Sequence, residues 1–204
     1  MAASLCVALA IVFLCYVSAA PNERLGLALR ATARWSFVLF WLASTGAALA
    51  TLFGARFQAL AKRARDFGLA FASAHLAHVG LVAWLYYIAV DPPLSRFRAI
   101  FFAVGVFWTY LLAVLSIQQV SARLNPLAWR RLRVAGVEYI SLVFIADFLK
   151  KPFHGGTANF VVYLPFVILA LAGPLLRLAA WVKRLRPART LAIQRRDRQD
   201  HPDE

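Results

Sequence analysis

Six stretches of this chain are apolar over lengths that reach or approach the roughly 20 helical residues needed to cross about 30 Å of hydrocarbon. They cover residues 3–20, 35–53, 67–90, 99–120, 134–149 and 160–182. Water does not reach the middle of a bilayer, so each backbone amide there must be satisfied within the protein. Short isolated apolar runs do this only as α-helices. The fifth run is the weakest, being short and carrying Glu138 and Asp147. Composition points the same way. Of 204 residues, 62% are hydrophobic and 16% charged, with a mean hydropathy of +0.66. A water-soluble domain of this size has too little interior to hide so much apolar surface. The expected fold is all-α: a six-helix transmembrane bundle over residues 1–182, followed by a basic tail over 183–204 that is partly disordered. Its first partner is the lipid bilayer.

The net charge of +14 does not indicate a nucleic-acid partner, because the basic residues are not gathered on one soluble face; most lie in the breaks between apolar runs. Arg56, Lys62, Arg63 and Arg65 separate the second and third runs, and Arg123, Arg130, Arg131 and Arg133 the fourth and fifth. Eight more follow from Arg177 onward. The opposite breaks hold Arg24, Arg30, Arg34, Arg96, Arg98, Lys150 and Lys151. Basic residues favour the cytoplasmic side. The asymmetry therefore predicts an N-in/C-in arrangement, with both termini in the cytoplasm.

The first run has a second reading as a cleaved signal peptide, since Val17-Ser18-Ala19 has the small-residue pattern of a cleavage site. The lack of Lys or Arg before Cys6 and the nearby Pro21 favour a retained helix. Cys6 and Cys15 lie about 13 Å apart along one helix and cannot bridge each other. Asp91-Pro92-Pro93 is expected to stop the third helix. Gly173-Pro174 predicts a kink in the sixth, where a neighbouring helix has to satisfy the carbonyl that proline leaves without an amide.

Ionisable groups at membrane depth are costly, so each is a candidate for function. His75 and His78 lie near the middle of the third run at i, i+3, on one helical face. Neutral imidazole is a common haem ligand. The plainer alternative is a pair of bundle histidines hydrogen-bonded to neighbouring helices. Glu138 and Asp147 are nine positions apart, about 180° around the helix, and cannot form one carboxylate site. Asp147 is expected to pair with Lys150 and Lys151. Glu138 is expected to be part of a polar interior, either snorkelling, paired with a neighbouring helix or relaying protons. His154 sits in a loop on the outer side. No phosphate-binding glycine loop, nucleophile elbow or metal-spaced Cys/His cluster is present in the sequence.

The six-helix plan and the stretch from Arg65 through Gly68 to His75 and His78 resemble the ferric-reductase-like transmembrane family. The nearer likeness is to its bacterial branch, which includes the haem-binding membrane subunit of periplasmic methionine sulfoxide reductase. In that family a haem-ligating histidine follows ten residues after the glycine that opens helix 3, which is His78 here. Trp129-Arg130-Arg131-Leu132-Arg133 resembles the opening of the family's helix 5. The resemblance implies haem b as cofactor, with His78 and His75 as cofactor-binding residues and His78 as the iron ligand. It also implies a bacterial inner membrane and a partner reductase or electron-acceptor protein docked on the basic inner loops. The chain departs from the pattern in helix 5. Arg133 and Asp147 stand where the family has histidines, and neither replaces imidazole on haem iron.

Two functions follow. One is a haem b electron-transfer subunit that lacks a nucleotide-binding domain of its own. The other is a haemless relative acting as a membrane scaffold, sensor or small-solute or proton pathway.

Overall fold

A computed structural model describes residues 1–117, 125–150 and 156–200, with side chains described up to Leu185 except at residues 150 and 156–159. Among the described residues there are six long helices and no strand. They are α1 (Ala2–Ser18), α2 (Arg24–Phe53), α3 (Ala64–Ile88), α4 (Arg96–Leu115), α5 (Pro126–Lys150) and α6 (Gly156–Asp200). A 3-10 turn (Gly54–Phe57) and a one-turn helix (Gln58–Lys62) join α2 to α3.

Local chemistry accounts for several boundaries. Gly54 adopts φ +80°, a backbone conformation that disfavours side chains and ends α2. The following turn folds back so closely that a Cβ on Gly46 would lie 3.1 Å from both Cγ and the carbonyl oxygen of Leu60. The extended Ala89 ends α3 just before Asp91-Pro92-Pro93, as expected. Asn125 Oδ1 accepts from the Leu127 amide at 2.9 Å, and Pro126 occupies the first helical position, where a missing N–H costs nothing. That cap starts α5 eight residues before the apolar run that begins at 134. Likewise α2 starts at Arg24 rather than 35: arginine is a good helix former, so the helix runs on beyond the hydrocarbon-length segment.

The helices alternate in direction. On α2 and α3, Phe40 meets Phe71 and Thr32 meets His78, an antiparallel pair. Antiparallel contact also joins α4 to α5, where Tyr139 Oη donates to the Phe101 carbonyl at 3.1 Å. Parallel contact joins α2 to α6, from Arg34 over Tyr163 to Arg184 on Thr51. Ser73 shares a 2.9 Å hydrogen bond with Ser4 and donates to the Met1 carbonyl at 3.2 Å, so α1 begins beside the first half of α3, about 13 Å along it. One end of the bundle gathers the starts of α3 and α5 with the ends of α2 and α4 and the Lys183–Arg184 turn of α6.

Helix α2 is the centre. Its buried positions are largely small, including Ala28, Thr32, Ala33, Ser36, Thr45, Gly46 and Ala48. Small residues let helix backbones approach within a membrane, where no hydrophobic effect drives them together. Between them, Phe37 contacts Phe144, Phe148 and Phe166, so rings from α2, α5 and α6 interlock.

Four helical stretches are long and apolar enough to cross a membrane: Arg24–Lys62, Ala64–Ile88, Arg96–Leu115 and Phe160–Leu185. α1 is apolar but shorter, and α5 falls short because Glu138, Asp147 and its basic start interrupt it. Large apolar side chains point outward along the bundle, with Tyr87 81% exposed, Phe97 80% and Phe13 68%. Contiguous apolar patches on soluble monomers rarely exceed a few hundred Å². An apolar exterior around an interior seamed with Ser, Thr and Gly belongs to a multi-pass membrane protein.

Candidate functional site

Both candidate histidines sit on α3 and stack on each other, ring centroids 5.4 Å apart. His78 Nδ1 is 3.1 Å from Thr32 Oγ1 on α2. The Thr32 hydroxyl donates its one proton to the Ala28 carbonyl at 2.7 Å. His78 Nδ1–H must then be the donor to Thr32, which assigns the proton to Nδ1. One turn earlier, His75 packs at a tilt against Phe71, ring centroids 5.3 Å apart, and its Nδ1 is buried without a hydrogen-bond partner. Ser36, one turn beyond Thr32 on antiparallel α2, also has a buried, unpartnered Oγ. Together Thr32, Ser36, His75 and His78 form a polar seam between α2 and α3.

Haem fits this seam poorly. Two imidazoles projecting from one side of one helix cannot grip one iron from opposite faces. From α5 the described core receives Phe144 and Phe148, packed against Phe37. Neither His154 nor His201 lies within the described residues. Among the described residues no group of three or more His, Cys, Asp or Glu side chains could hold a metal ion.

Glu138 is paired. Arg177 of α6 donates from Nε to Oε1 at 2.8 Å and from Nη2 to Oε2 at 2.7 Å, and Nη2 also reaches Ser141 Oγ at 2.9 Å. This two-pronged bond has the geometry that matches guanidinium to carboxylate. The Arg177 side chain is 16% exposed and that of Glu138 46%. The ion pair expected between Asp147 and Lys150 or Lys151 falls on side chains outside the described residues.

Glu138 and Arg177 form part of the wall of a cavity of about 350 Å³ among α2, α3, α4, α5 and α6. Exposed Arg65 and Arg133 stand at its rim with Trp129, and buried Phe40, Phe71 and Ile140 form its bottom. It opens at the end of the bundle where α3 and α5 begin, and along α3 it reaches from Arg65 to Phe71, about 9 Å at 1.5 Å per residue. Neither histidine lines it. The ring of Phe71 lies between the cavity and His75.

Comparison with protein-family models, curated proteins and solved structures finds no match for this chain.

What the site can do follows from its own residues. Among the described residues, three guanidinium groups against one carboxylate leave the cavity with a surplus of positive charge over an apolar floor. Such a cavity can take an anionic, amphipathic molecule. Arg177 was foreseen only as part of the basic C-terminal set, although a signal was there: it is the one charged residue within the run 160–182, and a charge at that depth needs a partner. Thr32 offered no comparable signal. Nor did Arg34, whose guanidinium lies 4.6 Å from the Tyr163 ring centroid and 5.3 Å from that of Phe166. These cation–π contacts come from another helix, while Arg34 Nε is buried without a hydrogen-bond partner.

Proposed function

We propose that this chain is a haemless, non-enzymatic membrane protein related to the ferric-reductase-like family, using its bundle as a binding scaffold or sensor. In this reading it crosses a bacterial inner membrane six times, with both termini in the cytoplasm. The observation that carries it is the environment of the helix 3 histidines: His78 is bonded to Thr32 of α2 and stacked on His75, while α5 offers phenylalanines. The family likeness draws support from the cavity, since Arg65 and Gly68 of one resembling stretch and Trp129 and Arg133 of the other line the same space. The orientation draws support from the basic residues gathered at that end.

A second reading, a haem b electron-transfer subunit serving a partner reductase, is favoured by one detail. The Nδ1–H bond to Thr32 is the outer-shell contact that orients a histidine bound through Nε2. Haem, if bound, would supply one-electron chemistry, and His78 would be its single protein ligand among the described residues.

An absorption spectrum of the detergent-purified full chain, expressed with ample haem, separates the two. The expected result is no Soret band. A Soret band that is lost in His78→Ala establishes the second reading.

A further inference from the structure

We infer that the cavity at the Arg65–Arg133 end binds the phosphate headgroup of an anionic membrane lipid. The inference rests on the membrane reading of the bundle and gives its binding site a ligand class; it depends neither on the orientation nor on the family likeness. Four observations carry it.

First, the rim arginines are unspent. Among the described residues neither Arg65 nor Arg133 has a hydrogen-bonding or ion-pair partner, whereas Arg177 is already committed to Glu138 and Ser141. Two guanidinium forks that line one cavity from different helices suit a phosphate oxygen pair better than a single neutral group. Second, charge does not balance inside the cavity. Among the described residues the only carboxylate in its lining is Glu138, and Arg177 uses both of its oxygens. An anion entering there meets no uncompensated negative charge.

Third, polarity is graded. Arginines and Trp129 stand at the rim, while Phe40, Phe71 and Ile140 close the bottom. A purely ionic ligand would leave that floor unused. A headgroup followed by its glycerol and first methylenes would cover it, with the remaining acyl chain lying along the apolar exterior. Fourth, size and depth agree. About 350 Å³ lies at the small end of ligand sites and holds part of a lipid rather than all of it. The rim sits in the first turn of α3, at the headgroup level of a helix that spans. Basic pockets between spanning helices are where anionic headgroups lodge.

The test is titration of phosphatidylglycerol and of phosphatidylcholine into the full chain in neutral detergent, with bound lipid counted by native mass spectrometry. The wild type is expected to retain phosphatidylglycerol in preference to phosphatidylcholine. Arg65→Gln/Arg133→Gln is expected to weaken phosphatidylglycerol binding roughly 30-fold, from about fivefold for each basic residue at a membrane surface. Arg96→Gln/Arg98→Gln, with the same charge change at the opposite end, is expected to bind as the wild type does. Size-exclusion profiles identify any variant that has failed to fold, and Arg65→Lys/Arg133→Lys, which keeps the charge, is expected to recover most of the binding. Equal weakening in both Gln pairs, or no preference for phosphatidylglycerol, overturns the inference. Competition by millimolar inorganic phosphate distinguishes the sources: full displacement assigns the site to a free phosphate compound and overturns the lipid assignment, and retention of lipid supports it. Failure of the membrane reading shows separately, as protein that stays soluble without detergent, and failure of the haemless reading shows as a Soret band.

Discussion

At the scale of single residues, the bundle is governed by where its few polar groups find partners. Arg177 is largely buried, so its stability depends on the Glu138 carboxylate. Glu138→Gln leaves a mostly desolvated guanidinium without its counter-charge. The expected cost is about 2 kcal/mol, below that of a fully buried pair because Glu138 is nearly half exposed. Adding Arg177→Met to Glu138→Gln removes the unpaired charge and is expected to recover most of that loss. Thermal unfolding followed by tryptophan fluorescence in detergent measures both, and a double variant no more stable than the single one refutes the pairing. The histidine spacing, the isolated Glu138 and the glycine ten residues before His78 were all legible in the sequence. Their partners were not, because Thr32 and Arg177 lie 46 and 39 residues away along the chain and touch them only through helix packing. Ser36 and Thr32 look like ordinary small residues of an apolar run until α3 is laid against them.

Among the elements, apolar length made the six helices legible, and their ends were less so. Hydropathy marks the part of a helix that suits hydrocarbon, whereas the helix stops where capping and backbone chemistry stop it. Hence the earlier start of α2 at Arg24 and of α5 at Pro126. The kink expected at Gly173-Pro174 has a related outcome: α6 is assigned as one helix through both residues. Trp41 Nε1 donates at 2.8 Å to the carbonyl of Leu169, next to the Ala170 carbonyl that Pro174 leaves without an amide. Contact between α4 and α5 depends on two glycines that sequence alone did not mark. A Cβ on Gly136 would lie 2.8 Å from both Leu112 Cδ1 and Trp108 Cε3, and one on Gly105 3.0 Å from Val143 Cγ2. Gly136→Ala is therefore expected to push α4 from α5 and cost about 1–3 kcal/mol. Gly80→Ala, where a Cβ meets nothing within 4 Å, is expected to leave the unfolding midpoint unchanged or slightly raised. Equal effects at the two sites would contradict the helix contact.

For the whole molecule, alternation of six helices and segregation of charge are two views of one arrangement. The end that gathers Arg65, Arg133, Lys183 and Arg184 also holds the cavity. Cysteine accessibility tests this arrangement most directly. In a chain with Cys6→Ala and Cys15→Ala, single cysteines are introduced as Lys62→Cys, Arg96→Cys, Arg131→Cys or Arg184→Cys. Spheroplasts of a bacterial host are then treated with a membrane-impermeant maleimide. The arrangement predicts that only Arg96→Cys is labelled before the membrane is permeabilised, and that the other three are labelled only afterwards. Labelling of Lys62→Cys, Arg131→Cys or Arg184→Cys in intact spheroplasts, or protection of Arg96→Cys, would contradict it.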